Sequence, residues 1–194
     1  MQPLAFKPQF GAIILADGCD ADGNPLALVA LDEHTLTLDA ALALLADGPF
    51  AAKHLVLGAE ASAIRSSVNC EGWEILSISE EQSDPLAATR LAMQSLPLLD
   101  GFFLIDLGAM ASESLPLADQ SDLLQRMISN YMRERLNLMR VVVPVIGGRR
   151  AFPWLIDIGF RQPFIEREAD APLTAVLEAS ASQVLEMACE EHSD

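Results

Sequence analysis

Cysteine and histidine are scarce in this chain, which has three of each among its 194 residues. The cysteines Cys19, Cys70 and Cys189 lie far apart and form no Cys-x-x-Cys pair. A sparse and odd set of this kind indicates a reducing compartment rather than a disulfide framework. No spacing of cysteine and histidine resembles a zinc site. We therefore expect a cytoplasmic protein without structural zinc.

Basic side chains are few as well: 12 lysines and arginines face 28 acidic residues, for a net charge of -16. Such a balance repels nucleic-acid backbones and anionic membranes, so we expect neither as a partner. The exception is local, because half of the basic residues are arginines within residues 126–150. A solvated helix face and a loop account for most of them. Arg149 and Arg150 are retained as a candidate anion site.

Long apolar runs are missing too. No stretch approaches the ~20 residues that a membrane-spanning helix needs, and residues 1–10 do not resemble a secretory signal. Hydrophobic residues still make up 51% of the chain, which is enough for a buried core. No segment repeats and none has the composition of a linker. We therefore expect one domain over residues 1–194.

What the sequence does contain is an alternation of short apolar runs with helical patterns, which is typical of an α/β fold. We expect a three-layer α/β/α, Rossmann-like architecture with a mostly parallel sheet. The predicted strands are 11–16, 53–57, 73–78, 101–106, 140–146 and 152–158. The predicted helices are 37–46, 59–67, one that starts near Asp84, 119–135 and 171–188.

Ligands of such sheets bind beyond the carboxyl ends of the strands. That rule selects three places in this sequence: the loop after Ala16, the region around Asp106, and the turn at Gly147–Arg150.

The order and content of these segments resemble the MobA-like nucleotidyltransferases, in particular the molybdenum-cofactor cytidylyltransferase branch. The run Ala12–Gly18 is similar to the family's opening strand and its Leu-Ala-Ala-Gly turn. Residues Asn24–Leu28 are similar to its Pro-Lys-x-Leu segment, with Leu26 in place of the lysine. Leu104–Asp106 resembles the strand that ends in a metal-binding aspartate, and Val142–Pro153 resembles a Pro-x-x-x-Gly-x-x-Gly-His-Pro segment.

The resemblance covers most of the chain and implies the nucleotide-diphospho-sugar transferase type of fold. It also implies a set of candidate nucleotide-site positions, namely Ala16, Asp17, Gly18, Gly23, Arg149 and Arg150. Asp106 is the candidate Mg²⁺ ligand that the resemblance implies; a helix cap or turn residue is the alternative reading of a lone aspartate at a strand end.

The loop departs from the family pattern where the chemistry needs cations. The family loop carries a serine, an arginine and a lysine, whereas the residues between Gly18 and Leu26 include no basic side chain. Asp17, Asp20 and Asp22 would lie beside the triphosphate instead. Each like-charge contact costs up to about 4 kcal/mol at ~4 Å and an effective dielectric constant near ~20. Loss of one positioned stabilising group slows a reaction ~10²–10³-fold.

Other family positions are altered as well. Phe152 replaces the histidine before proline, Ala151 replaces its glycine, and the late segment 168–173 lacks an arginine. The acidic loop does not have EF-hand spacing, and Cys19 beside three carboxylates is read as an inert small residue. The sequence contains no Gly-x-Ser-x-Gly, Walker or Gly-x-Gly-x-x-Gly motif. We therefore assign no catalytic residue.

Three hypotheses follow. The first is a catalytically impaired relative that senses a nucleotide or small phosphorylated ligand, or contacts a partner. The second is an active but divergent enzyme that uses Mg²⁺ with CTP or GTP, and that transfers a nucleotidyl group to a phosphorylated cofactor or sugar through Asp106, Arg149 and Arg150. The third is a structural or assembly role as a homodimer.

Overall fold

The computed structural model describes residues 8–20, 22–31, 35–79, 85–112, 115–118, 122–167 and 171–189. The strands are β1 Phe10–Ala16, β2 Phe50–Leu57, β3 Glu74–Ser77, β4 Gly101–Asp106, β5 Val141–Ile146, β6 Arg149–Arg150, β7 Trp154–Asp157 and β8 Val184–Ala188. The helices are α1 Thr37–Ala46, α2 Ala61–Ser67, α3 Pro85–Ser95, α4 Leu107–Ser112, α5 Leu123–Glu134, α6 Gln162–Glu166 and α7 Leu173–Ala179. None of the helices in these ranges combines the length and the apolar character that a bilayer crossing requires.

These strands form one sheet with the order β3-β2-β1-β4-β7-β5-β6, and β8 pairs with β5. The first four strands of that order are mutually parallel. β7 runs antiparallel to both β4 and β5, whereas β8 is parallel to β5. The sheet is therefore mixed but mostly parallel, which confirms the predicted α/β fold class.

Helices cover both faces of the central strand β1. A Cβ atom added at Gly11 would lie 2.8 Å from Cδ2 of Leu96, the residue directly after α3, so the end of α3 packs closely against this face. The neighbouring Phe10 points to the opposite face, because side chains alternate along a strand. Its ring meets Tyr131 of α5 edge to face at 5.8 Å. β1 and β4 are buried along their whole length, as expected for strands covered on both sides.

The predicted closing helix over residues 171–188 is wrong in its second half. Helix α7 ends at Ala179, and Val184–Ala188 forms β8. The five residues of β8 pair in parallel with Val141–Val145 of β5. Leucine, methionine, glutamate and alanine favour helices, but this pairing uses backbone groups of β5, and such tertiary context outweighs local propensity.

Other predicted boundaries differ by a few residues. The predicted strand 152–158 is shorter in the structure, because Phe152 bonds outside the ladder: its N–H donates to Pro116 O, and its carbonyl accepts from Ala118 N. The predicted helix 119–135 is present as Leu123–Glu134. Asp84, residues 119–121 and residues 168–170, on which parts of the sequence predictions depend, lie outside the described residues.

A buried polar network joins α5 to the end of β7. The Tyr131 hydroxyl donates to Oδ2 of Asp157 at 2.6 Å, and Arg140 Nη1 lies 3.2 Å from the same oxygen. The other oxygen of Asp157 accepts from Gly159 N at 2.7 Å. Burial, followed by the hydrogen bond to Asp157, raises the pKa of Tyr131 well above its ordinary value. Because Asp157 pairs with Gly101 at the start of β4, this network lies at the amino edge of the parallel strands.

Candidate functional site

The three places selected from the sequence lie at one edge of the sheet. Leu15 of β1 pairs with Asp106 of β4, so the loop after Ala16 and the end of β4 are neighbours. β5 runs antiparallel to β7, which runs antiparallel to β4, and β5 therefore points the same way as β4. The Gly147–Gly148 turn that follows β5 therefore faces the same edge.

Hydrogen bonds to Asp20 hold together the loop between Gly18 and Leu26. The carboxylate of Asp20 accepts hydrogen bonds from Asp22 N at 2.9 Å and from Asn24 N at 2.8 Å. Its main chain also pairs within the loop, since Asp20 N donates to Asn24 O and Gly23 N donates to Asp20 O. Gly23 has a φ of +83°, a left-handed conformation that favours glycine. The amides of Asp20, Asp22, Gly23 and Asn24 therefore all donate hydrogen bonds within the loop.

Asp20 itself acts as the anion of this loop. The side-chain amide of Asn24 donates to its Oδ2 at 3.1 Å. This hydrogen bond, and then the backbone hydrogen bond from Asn24, holds the pKa of Asp20 below its ordinary value. From the sequence, Asp20 is expected only to repel a triphosphate, so this role was missed. The turn-forming run Asp-x-Asp-Gly-Asn was the available signal, because aspartate side chains commonly bond the backbone two residues on.

A small cavity separates this loop from the end of β2. It has a volume of about 260 Å³ and contains no lysine or arginine in its described lining. A Cβ atom at Gly58 would lie 2.8 Å from Asp17 O, so the two loops touch through a position where only glycine fits. Two carboxylates, Asp17 and Glu60, are part of the wall. The full lining is Ala16, Asp17, Gly18, Cys19, Pro25, Gly58, Ala59, Glu60 and Ile64.

Asp106 is the last residue of β4 and is 1% exposed. Its Oδ1 accepts a hydrogen bond from Ala109 N at 3.0 Å. Since α4 begins at Leu107, this bond satisfies one of the free amides in the first turn of that helix. Asp106 therefore caps the first turn of α4, which was the alternative left open for an aspartate at a strand end. Within the described ranges, no group of three or more histidine, cysteine, aspartate or glutamate side chains is arranged to hold a metal ion.

Arg149 and Arg150 follow a two-residue turn and diverge. Gly147 and Gly148 have φ values of +56° and +77°, as a tight hairpin with two left-handed central residues requires. Arg150 Nε donates to Oε1 of Glu186 on β8 at 2.9 Å. Arg149 instead lines a cleft at the carboxyl edge that also includes Leu26. The structure thus brings Arg149 towards the candidate site and ties Arg150 to β8.

That cleft has a volume of about 750 Å³ and is mostly apolar. Thr35, Thr37 and Arg149 are its only polar side chains among the described residues, and the Thr37 hydroxyl already donates to Val29 O at 2.8 Å. The remaining lining consists of Leu26, Val29, Ala30, Leu31, Ala40, Leu107, Met110, Ala111, Leu115, Pro116 and Leu117.

Of the three cysteines, Cys19 lies at this edge of the sheet. Cys19 is exposed on the loop, whereas Cys70 and Cys189 are partly buried elsewhere. Burial raises the pKa of both Cys70 and Cys189, which keeps these thiols protonated and unreactive at neutral pH.

Comparison with known proteins identifies the fold through solved structures. No family model matches the chain, and no curated protein sequence matches it. The crystal structure of Rv0371c from Mycobacterium tuberculosis H37Rv is 18% identical with a TM-score of 0.71, over 94% of this chain and 90% of that chain. The same mycobacterial protein has been solved in complex with manganese.

Two enzymes, a synthetase and a synthase, have solved structures with the same fold. A CMP:2-keto-3-deoxy-manno-octonic acid synthetase in complex with CTP is 7% identical with a TM-score of 0.68, over 94% of this chain and 90% of that chain. The 4-diphosphocytidyl-2C-methyl-D-erythritol synthase from Anaerococcus prevotii is 13% identical with a TM-score of 0.61, over 93% and 87%. The chain therefore has the fold of the nucleotide-diphospho-sugar transferases. Identities this low show the fold alone.

Proposed function

We propose that the chain is a catalytically impaired MobA-like nucleotidyltransferase, in which one domain over residues 1–194 binds a nucleotide or small phosphorylated ligand without transferring a nucleotidyl group. The solved structures of the same fold include a synthetase with bound CTP, which supports a nucleotide as the ligand class. The molybdenum-cofactor branch is proposed from the sequence resemblance given above.

The observation that carries this proposal is the self-closed loop. Amides of Asp22 and Asn24 donate to the carboxylate of Asp20, at 2.9 and 2.8 Å, instead of facing outward. Transfer of a nucleotidyl group builds up charge on oxygens that are already anionic, and it depends on positioned donors and cations. In this loop the amides of Asp22 and Asn24 already bond the Asp20 carboxylate, and none of the side chains is basic. The loop therefore offers a triphosphate neither these two donors nor a cation.

Binding without transfer is still compatible with this edge. The cavity of about 260 Å³ beside Gly58 is of a size for a nucleobase rather than a whole nucleotide. Its acidic wall suits the amino groups and hydroxyls of a nucleoside better than phosphates, because carboxylates accept hydrogen bonds and repel anions. The phosphates would then extend towards the larger cleft, where Arg149 lies.

An active, divergent enzyme is the second candidate, favoured by the CTP-bound synthetase of the same fold and by the position of Arg149. Mg²⁺ is commonly held by one or two carboxylates together with substrate phosphates. Asp106 is the residue that would hold it here. The ion would neutralise charge on the triphosphate.

The test combines binding and turnover on the purified chain. Thermal unfolding is measured with CTP, GTP and ATP, each with and without Mg²⁺, and pyrophosphate release is assayed in the same mixtures. A nucleotide at ~100 times its Kd adds about 2.7 kcal/mol of stability. We expect such a rise without pyrophosphate. Ala59→Trp, at the exposed mouth of the small cavity, should abolish the rise. Ala51→Trp, exposed at the start of β2, should not.

Two results would contradict the proposal. Pyrophosphate formation that is lost in Asp106→Asn would establish the active enzyme. No thermal response to any nucleotide would favour the structural role as a homodimer, which sedimentation of the same sample would then test.

A further inference from the structure

A second apolar cavity adjoins the large cleft that Arg149 lines. It lies between α1 and α5 and has a volume of about 570 Å³. Ala40 and Leu117 line both cavities. Because the side chain of an alanine is a single methyl group, two cavities that both reach Ala40 lie directly beside each other. We name the combined space the α1 groove.

The α1 groove follows the length of α1. Thr37 at the start of this helix lines the large cleft, whereas Leu44 and Asp47, at and just after its end, line the second cavity. With Ala40 between them, these residues are three or four positions apart, so they share one face of the helix. Since a helix rises ~1.5 Å per residue, the groove is ~15 Å long. A space of this length suits an extended chain rather than a compact group.

The charged side chains of the α1 groove lie at its two ends. Among the described lining residues, Arg149 is the only charged residue of the large cleft, and Asp47 is the only one of the second cavity. Asp47 shortly precedes Phe50, which pairs with Phe10 at the start of β1, so it lies at the amino edge of the sheet. Arg149 lies at the carboxyl edge. An anionic group is attracted to the Arg149 end and repelled from the Asp47 end, which fixes the orientation of an amphiphilic ligand.

Between these ends, the wall that faces α1 is largely apolar. Leu117, Leu124 and Ile128 line it, and Gln125 is its one polar side chain among the described residues. The three apolar side chains pack against the core and are still partly exposed. Sugar hydroxyls placed against them would lose hydrogen bonds to water, whereas methylene groups gain free energy by leaving water. The wall therefore favours a hydrocarbon chain over a sugar.

We propose that the α1 groove binds the hydrocarbon chain of a phosphate monoester whose phosphate group lies at Arg149. This inference rests on the proposed function, because it names the class of phosphorylated ligand that the carboxyl edge takes. The planar guanidinium group matches the geometry of phosphate oxygens. Volumes of about 750 and 570 Å³ are within the ~300–1,000 Å³ range of small-molecule sites. The net charge of -16 disfavours an anionic membrane surface, so the ligand is a single dissolved molecule.

The test is a calorimetric titration of the purified chain with butyl, octyl and dodecyl phosphate, each below its micelle concentration. We expect the affinity to rise at least tenfold from butyl to octyl phosphate, because more methylene groups leave water. Octanol, which has the chain without the phosphate, should bind at least tenfold more weakly than octyl phosphate. An affinity that is independent of chain length would overturn the proposal.

Variants locate the two ends of the ligand. Ala43→Trp places an indole ring in the second cavity from an exposed position of α1. It should weaken binding of dodecyl phosphate at least tenfold and leave binding of butyl phosphate unchanged. Ala46→Trp is the matched control, because Ala46 is exposed on the same helix and lines neither cavity. Arg149→Gln should weaken binding of all three phosphates at least fivefold, and Arg133→Gln, at an exposed position of α5, should not. Equal losses in the two tryptophan variants would contradict the proposal.

Nucleotide binding is a separate readout. Ala59→Trp at the small cavity should abolish the thermal response to nucleotides and leave binding of dodecyl phosphate unchanged, and Ala43→Trp should do the reverse. A chain that responds to nucleotides but shows no dependence on chain length would contradict this inference alone. Dependence on chain length without a response to any nucleotide would contradict only the nucleotide part of the proposed function.

Discussion

The carboxylate of Asp20 accepts hydrogen bonds from both the main-chain and the side-chain amide of Asn24, at 2.8 and 3.1 Å. Phosphate-binding loops offer the same kind of amide donors to a ligand. In this chain the donors are used by an acidic side chain of the loop itself. The loop after β1 thus has its own Asp20 as the acceptor for these amides.

Removal of that carboxylate should loosen the loop. In Asp20→Ala, the amides of Asp22 and Asn24 lose their acceptor, so we expect their hydrogen exchange to become much faster while β1 stays protected. Amide exchange followed by NMR would measure this. Asp22→Ala is the matched control, because it removes a carboxylate of the same loop that is not the acceptor of these two amides. Equal exchange in both variants would show that Asp20 does not organise the loop.

Restoring a cation should strengthen binding of a triphosphate. Leu26 directly follows the loop, stands where the family resemblance has a lysine, and lines the larger cleft. We expect Leu26→Lys to raise the affinity for CTP with Mg²⁺ about tenfold, since one close ion pair at an effective dielectric near ~20 is worth a few kcal/mol before desolvation. Calorimetric titration would measure the Kd.

Leu31→Lys controls for the added charge, because Leu31 lies on the same cleft but is 51% exposed at its rim. An equal gain in both variants would mean that net charge, rather than a cation next to the loop, sets the affinity.

The sequence was sufficient to predict that the loop after Ala16 and Asp106 lie together at the carboxyl edge of the sheet. It was not sufficient to predict that the loop amides bond Asp20. Parallel strands bring the loop after Ala16 and Asp106 together whatever their side chains are, so the alternation of strands and helices was a sufficient signal. The inward role of Asp20 depends on the turn that residues 18–26 adopt. The hydrogen bonds from Asp22 and Asn24 to Asp20 form only in that turn, and the sequence alone does not show which turn is adopted.

Features that depend on contacts between segments far apart in the sequence could not be predicted for a different reason. Val184–Ala188 has helix-favouring residues and becomes a strand only because β5 offers it free backbone groups. Leu44 and Leu124 come to line one groove only in the folded chain, and no local pattern links them. Arg149 and Arg150 are adjacent strand residues whose side chains face opposite ways, so Arg149 lines the larger cleft while Arg150 bonds Glu186.

Tyr131 allows a spectroscopic prediction, because it is the single tyrosine of the chain. Its pKa is raised by burial and by the bond to Asp157, so the folded value lies above the unfolded value of about 10. The stabilisation is therefore complete below pH ~10 and is lost as the pH rises further. Absorbance at the phenolate wavelength should show no ionisation of the folded chain near pH ~10, and phenolate should form only together with unfolding. A reversible titration near pH ~10 in the folded chain would contradict this.

The same hydroxyl should make a measurable contribution to stability. Tyr131→Phe keeps the ring against Phe10 but removes the hydrogen bond to the carboxylate of Asp157, which is 4% exposed. Of the described residues that contact its Oδ2, Arg140 would then remain. Since hydrogen bonds to charged groups contribute about 1.5–3 kcal/mol, we expect the free energy of unfolding to fall by about that amount. Urea denaturation would measure it, with Arg133→Gln as the control. That variant breaks the exposed pair with Glu134 and should cost less than about 1 kcal/mol. Equal losses would mean that the buried hydroxyl contributes no more than a surface charge, and that packing alone fixes α5 against β7.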